Sequence, residues 1–185
     1  LNLALNGPAH GINPQVGAVV LDPEGKVISE GWHMGSGTPH AELVALENAK
    51  EQFGFQSAFP PGYSAVVTLE PCNHNGKTGP CSQALLDAGI SRVVYASNDP
   101  GEDSSGGGKF LKKNGVEVVK GLLKSEADDQ ARHWIVSTKK QRPFITIKYA
   151  STLDGRGAAQ DGSSQWISGP ESRADSHRRR SEVDA

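Results

Sequence analysis

Cysteine is scarce in this chain, with two in 185 residues, too few for a disulfide framework. In a reducing compartment such a pair points to metal binding or catalysis, and a cytoplasmic protein is the expectation. No long apolar run occurs, which excludes a membrane span, and residues 1–5 are too short and uncharged for a signal peptide. An excess of one charge is missing too. The 19 Lys and Arg against 21 Asp and Glu leave a formal charge of −2, so no chain-wide basic field exists to hold nucleic acid by counterion release. No internal repeat is visible, and low complexity is confined to residues 103–108 (DSSGGG), a glycine-rich loop. Gly108-Lys109 is followed by Phe110, where a phosphate-binding loop needs Ser or Thr. The rest is ordinary: 36% AVILMFWYC and 22 glycines give a globular composition. The length permits one domain and a fraction of another.

Short β-rich runs at 16–21, 27–32, 64–69, 92–97 and 116–120 are each bounded by Gly, Pro, Asn or Asp and predict five strands. Asp22-Pro23-Glu24-Gly25 joins the first two as a tight turn, so they form an antiparallel hairpin. Residues 41–50 place Leu43, Val44, Leu46 and Ala49 on one helical face, and residues 82–88 do the same with Ala84, Leu85 and Ala88 before the stop at Gly89. A third short helix is expected at 110–114 and a polar helical stretch at 125–140. The order is hairpin, helix, strand, helix, strand, helix, strand, which predicts an α/β sandwich with a mixed sheet. At Gln141-Arg142 the texture changes, and residues 143–150 (PFITIKYA) predict a new strand. The expected domains are 1–141 and an incomplete piece, 142–185, shorter than an independent core usually needs. Arg178-Arg179-Arg180 sits among Glu171, Asp175, Glu182 and Asp184 and reads as a solvated helix face.

The chemistry concentrates where elements end. His40-Ala41-Glu42 opens the first helix after Pro39, Pro71-Cys72 follows the third strand, and Cys81 opens the second helix. One imidazole and two thiolates supply three ligands to a tetrahedral zinc and leave the fourth position open, the layout of a catalytic site. Glu42, two positions after the histidine, suits a proton shuttle from water to a ring nitrogen and a departing amine. Helix-start N–H groups favour the thiolate form of the cysteines. Two other readings compete: a disulfide closing the loop between Cys72 and Cys81, and a structural zinc with His74 as a further ligand.

The H-x-E and P-C pairing resembles the zinc-dependent cytidine-deaminase-like superfamily. Eight residues separate Cys72 from Cys81 instead of the usual two, and the string TLEPCNHNGKTGPC resembles the deaminase half of the bifunctional riboflavin-biosynthesis deaminase–reductases. The resemblance also covers Asn13-Pro14-Gln15-Val16-Gly17, Gly31-Trp32-His33 and Pro39-His40-Ala41-Glu42. It implies a cytidine-deaminase-like three-layer sandwich with a mixed five-stranded sheet. It further implies one zinc on His40, Cys72 and Cys81, with Glu42 as the catalytic proton shuttle. The implied substrate is a pyrimidinone carrying amino groups and a phosphoribosylamino arm, which loses its ring 2-amino group to give a pyrimidinedione and ammonia. By match, Asn13, His33, His74, Lys77 and Asp99 line the substrate pocket, with Lys77 the phosphate partner in the inserted loop. His33 and Asn13 as plain strand-end hydrogen-bonders, Lys77 as a solvated loop lysine and Asp99 as a turn former are the bland readings of the same residues.

Residues 148–156 (KYASTLDGR), Gln165-Trp166-Ile167 and residues 173–180 resemble the opening of the family's reductase domain. NADPH is therefore expected only in the complete reductase domain, no NADPH turnover is expected of this chain, and homo-oligomers are expected of full-length proteins. Neither a nucleic acid nor a membrane is an expected partner. The chain departs from the family pattern after Asp99-Pro100, where Gly101 replaces an Asn and Glu102 and Asp103 add negative charge. Such charge opposes phosphate binding if it faces the site.

Overall fold

The computed structural model describes residues 1–55, 58–74 and 79–184. After a short 3-10 turn, Asn2–Asn6, strands β1 (Gly17–Leu21) and β2 (Val27–Trp32) form the antiparallel hairpin that the turn residues predict. Gly25 takes a positive φ and donates to the Asp22 carbonyl, while the Asp22 carboxylate accepts from the Glu24 and Lys26 amides. Strands β3 (Ser64–Leu69), β4 (Arg92–Ser97) and β5 (Glu117–Lys120) follow, and the sheet order is β2-β1-β3-β4-β5. β1 runs antiparallel to β2 and β3, whereas β3, β4 and β5 are parallel, so the sheet is mixed. Parallel pairs need crossovers, and the helices α1 (Ala41–Phe53), α2 (Cys81–Asp87) and α3 (Gly107–Lys113) lie between the strands accordingly.

Alternation along the strands sorts the two faces. Ala18, Val20, Ala65, Val67, Val93 and Tyr95 belong to one buried cluster with Ala41, Ala45, Leu46 and Ala49 of α1, Leu85 of α2 and Leu111 of α3. Val94 and Ala96 point the other way, and α4 (Lys124–Gln130) packs against β4 on that side. Helices thus cover both faces. α5 (Arg132–Lys140) follows after a break at Ala131, so the helical stretch expected at 125–140 is two helices rather than one.

The buried stripe of α1 is Ala41, Glu42, Ala45, Leu46 and Ala49, shifted from the expected face, and Leu43 and Val44 stay partly exposed. The sheet decides this, because Ala41, Ala45, Leu46 and Ala49 belong to the same buried cluster as the strand residues. A Cβ built on Gly31 of β2 would lie 2.4 Å from the Ala41 carbonyl oxygen and 3.0 Å from Val44 Cβ, so only glycine fits at that strand position. The start of α3 is tighter still: a Cβ on Gly107 would sit 1.9 Å from the Pro71 carbonyl oxygen. That contact admits only glycine at 107, and α3 begins there rather than at the expected 110.

The chain divides into two compact units, Leu1–Arg142 and Pro143–Ala185. In the second, the strand expected at 143–150 is absent. Those residues pair with no strand among the described residues, and Ile145 and Ile147 are 71% and 80% exposed. An extended run without a partner leaves its ladder unformed, whatever its composition. This unit holds one helix, α6 (Pro170–Arg180), whose Arg178 and Arg179 pair with Asp175, with Glu182 also on Arg178. The arginine run is a solvated, internally paired helix face, as its neighbours in sequence predict. Arg173 lies over the Trp166 ring at 4.1 Å.

Candidate active site

Three element ends converge on one cleft. Pro39 and the extended conformation of His40 set the start of α1, and the His40 side chain makes no capping bond, which leaves its ring to face the cysteines. Cys72 lies just beyond β3, and Cys81 is the first residue of α2, whose amide donates to the Cys72 sulfur at 3.4 Å. His40 Nδ1 stands 3.2 Å from Cys81 Sγ and 3.6 Å from Cys72 Sγ, and the three ligand atoms all lie within 4.8 Å of one another. Tetrahedral zinc, with Zn–S of about 2.3 Å and Zn–N of about 2.0–2.1 Å, places its N and S ligands roughly 3.5–3.8 Å apart. The donor set and spacing fit that ion. Both cysteines are free thiols, so the disulfide reading is not what the structure holds. His74 is not in the cluster.

Hydrogen bonding from the Cys81 thiol, with further help from His40 and the Cys81 amide, outweighs burial and holds the Cys72 thiol down at about 4. Its partner is pushed upward: the shared hydrogen bond and burial both raise Cys81. Cys72 is therefore thiolate even before a cation arrives. Glu42 is 5% exposed, and its burial raises the carboxyl to about 7. A carboxyl there exchanges protons readily near neutral pH.

His33, 4% exposed, donates from Nδ1 to the Pro39 carbonyl at 3.1 Å. Its Nε2 is thereby left as an acceptor, and the Asn13 amide nitrogen donates to it at 2.9 Å. The ring stands edge-on to His40 at 5.3 Å. This chain of bonds fixes which way the Asn13 amide points, with its oxygen as the remaining acceptor. Asn13, His33, His74 and Asp99 all line the same cleft, of about 860 Å³, with His40, Glu42 and Cys72. His74 Nδ1 is buried there without a hydrogen-bond partner among the described residues. Burial raises the Asp99 carboxyl, although the Gly101 amide donates to it at 2.8 Å. Lys77 lies outside the described residues. Glu102 and Asp103 do line the cleft, so the added acids face the site.

Two features escaped the sequence reading. Glu70, nearly buried, accepts from the Gly108 amide at 3.1 Å and the Asp99 amide at 3.3 Å, tying the end of β3 to α3 and to the cleft wall. It sits inside the TLEPC string, and a carboxylate between a strand end and Pro-Cys is the signal that could have found it. The other is α5 with the residue that ends it, which contribute Trp134, Thr138, Lys139 and Gln141 to the cleft. No local motif marks them.

Residues 2–97 match the family model of the cytidine and deoxycytidylate deaminase zinc-binding region. The chain belongs to this deaminase family, and it is an enzyme. Residues 143–185 match the RibD C-terminal domain. The chain is 44% identical over 173 residues to the riboflavin biosynthesis protein RibD of Mycobacterium tuberculosis, covering 93% of this chain and 49% of that one. With RibD of Escherichia coli it shares 40% over 164 residues, 88% of this chain and 42% of the other. The solved diaminohydroxyphosphoribosylaminopyrimidine deaminase/5-amino-6-(5-phosphoribosylamino)uracil reductase of Thermotoga maritima superposes with a TM-score of 0.87 at 39% identity. That superposition covers 97% of this chain and 50% of that one. The chain thus spans about half the length of these relatives. Among the described residues no helix is long and apolar enough to cross a membrane.

Proposed function

We propose that residues 1–141 are the zinc-dependent deaminase domain of a riboflavin-pathway enzyme. It removes the ring 2-amino group of a diaminohydroxyphosphoribosylaminopyrimidine as ammonia and leaves the uracil derivative. The observation that carries this reading is the His40, Cys72 and Cys81 cluster beside the buried Glu42 in one cleft. His40, Cys72 and Cys81 would hold the ion. When bound, zinc supplies the Lewis acidity that activates water for attack on a ring carbon. Glu42 takes the proton from the attacking water, passes it to the ring nitrogen and then serves the departing amine, with its carboxyl poised near neutrality. The C–N bond breaks as the carbonyl forms. Asn13, oriented by His33, offers its amide oxygen to an N–H or O–H of the substrate. His74, Lys77 and Asp99 complete the substrate set.

Residues 142–185 are the opening of a reductase domain, and NADPH belongs to the complete domain. The protein works in the cytoplasm on a small phosphorylated pyrimidine, without nucleic acid or membrane, and forms homo-oligomers at full length. A formal charge of −2 supports the preference for a small substrate over RNA. The test is zinc content by elemental analysis together with ammonia release, on wild type, Glu42→Gln and Cys81→Ser. The expected result is one zinc per chain in wild type and loss of zinc and activity in Cys81→Ser. Glu42→Gln keeps the zinc but slows by about 10²–10⁴-fold. Deamination of RNA with none of the small phosphate overturns the assignment.

A further inference from the structure

The cleft, at about 860 Å³, is near the upper end of small-molecule sites and holds more than a pyrimidine ring. Its walls differ in chemistry. The segment after β4 contributes Asp99, Glu102 and Asp103, which when ionised offer only acceptors. Across from these acids in chemical character, α5 contributes Trp134, Thr138 and Lys139, each carrying an N–H or O–H donor. Trp134 and Thr138 are one helical turn apart, so the helix presents them together. Lys139 is the sole Lys or Arg lining the cleft among the described residues. Its charge also reaches Asp128, but that carboxylate already accepts from Lys124 and Ser97, so it does not need Lys139 as its partner.

An anion placed beside Glu102 and Asp103 meets like charge, whereas one beside α5 meets a cation and neutral donors. We infer that the α5 wall belongs to the subsite for the phosphate end of the substrate, with Lys139 a charged partner in addition to the Lys77 that the family resemblance offers, and Thr138 and Trp134 flanking it. This rests on the functional reading above. It assigns the substrate's orientation to the polarity of the cleft, with the ring toward Glu42 and the arm toward α5.

The experiment compares steady-state deamination of the phosphorylated pyrimidine and of its dephosphorylated ribosylamino counterpart by the zinc-loaded chain, wild type and Lys139→Met. Lys139 is exposed, so the substitution leaves the fold alone. The expected result is a KM about tenfold higher for the phosphorylated substrate, with kcat within about twofold and the counterpart unaffected. An unchanged KM overturns the subsite, and so does an equal rise for both substrates. Binding of ribose 5-phosphate by calorimetry decides the subsite independently of turnover: Lys139→Met weakens it about fivefold or more if the subsite is real, and equal binding overturns it. A wild type that deaminates neither pyrimidine sinks the functional reading, while the ribose 5-phosphate comparison still judges Lys139.

Discussion

Leu1–Arg142 and Pro143–Ala185 both carry alternating apolar runs and end up differently. In the first, Val93, Leu85 and Leu111 are fully buried, because each strand has a neighbour and helices cover the sheet. In the second, Ile145, Ile147 and Tyr149 alternate as a strand should and yet stand in solvent. The difference teaches that apolar alternation is a request for a partner. Burial depends on whether that partner is there.

The largest effect expected within this contrast separates catalysis from the second unit. Every described residue lining the cleft belongs to the first unit, so under the proposed function residues 1–142 alone are expected to keep zinc and ammonia release. A chain cut there that folds but loses activity breaks the comparison. Next comes packing. Leu85→Ala empties a site with no exposure and costs about 2–5 kcal/mol by denaturant unfolding, whereas Ile147→Ala changes stability by no more than about 0.5 kcal/mol. Equal costs would show that the second unit has a core after all.

Glu70→Gln sharpens the contrast inside the first unit. The amide keeps one acceptor and turns an N–H₂ toward the amide of Gly108 or Asp99, a cost of about 1–3 kcal/mol with a raised KM as the cleft wall loosens. Unaltered stability and KM would remove Glu70 from the account. The smallest effect is one of pH. Burial raises the Asp99 carboxyl above its unfolded value, so its contribution is fully present below the ordinary carboxylate range and is lost as pH rises through the raised value. Asp99→Asn removes that loss, and the melting temperature of the variant relative to wild type therefore climbs as pH increases from about 4. A difference independent of pH would contradict the shift.

Much of this was legible in sequence because it is local. Hairpin and turn follow from Asp22-Pro23-Glu24-Gly25, the five strands from β-rich runs between breakers, and the candidate metal-binding cluster from residues placed at element ends. The buried face of α1 was not. It is set by which residues of α1 meet the strands, contacts that no window along α1 contains. The same limit hid Lys139, whose presence in the cleft depends on how the chain returns after β5.

By itself the sequence determined the order of the five strands and of the three helices between them, and the residue types that can bind zinc, since propensity, turn chemistry and ligand chemistry are properties of near neighbours. Only the tertiary structure decided that His40, Cys72 and Cys81 stand within 4.8 Å, that Glu42 is buried beside them, and that residues 143–150 form no strand. Those outcomes depend on groups far apart in the chain. Burial and pairing are set by what arrives from elsewhere, and that information belongs to the fold.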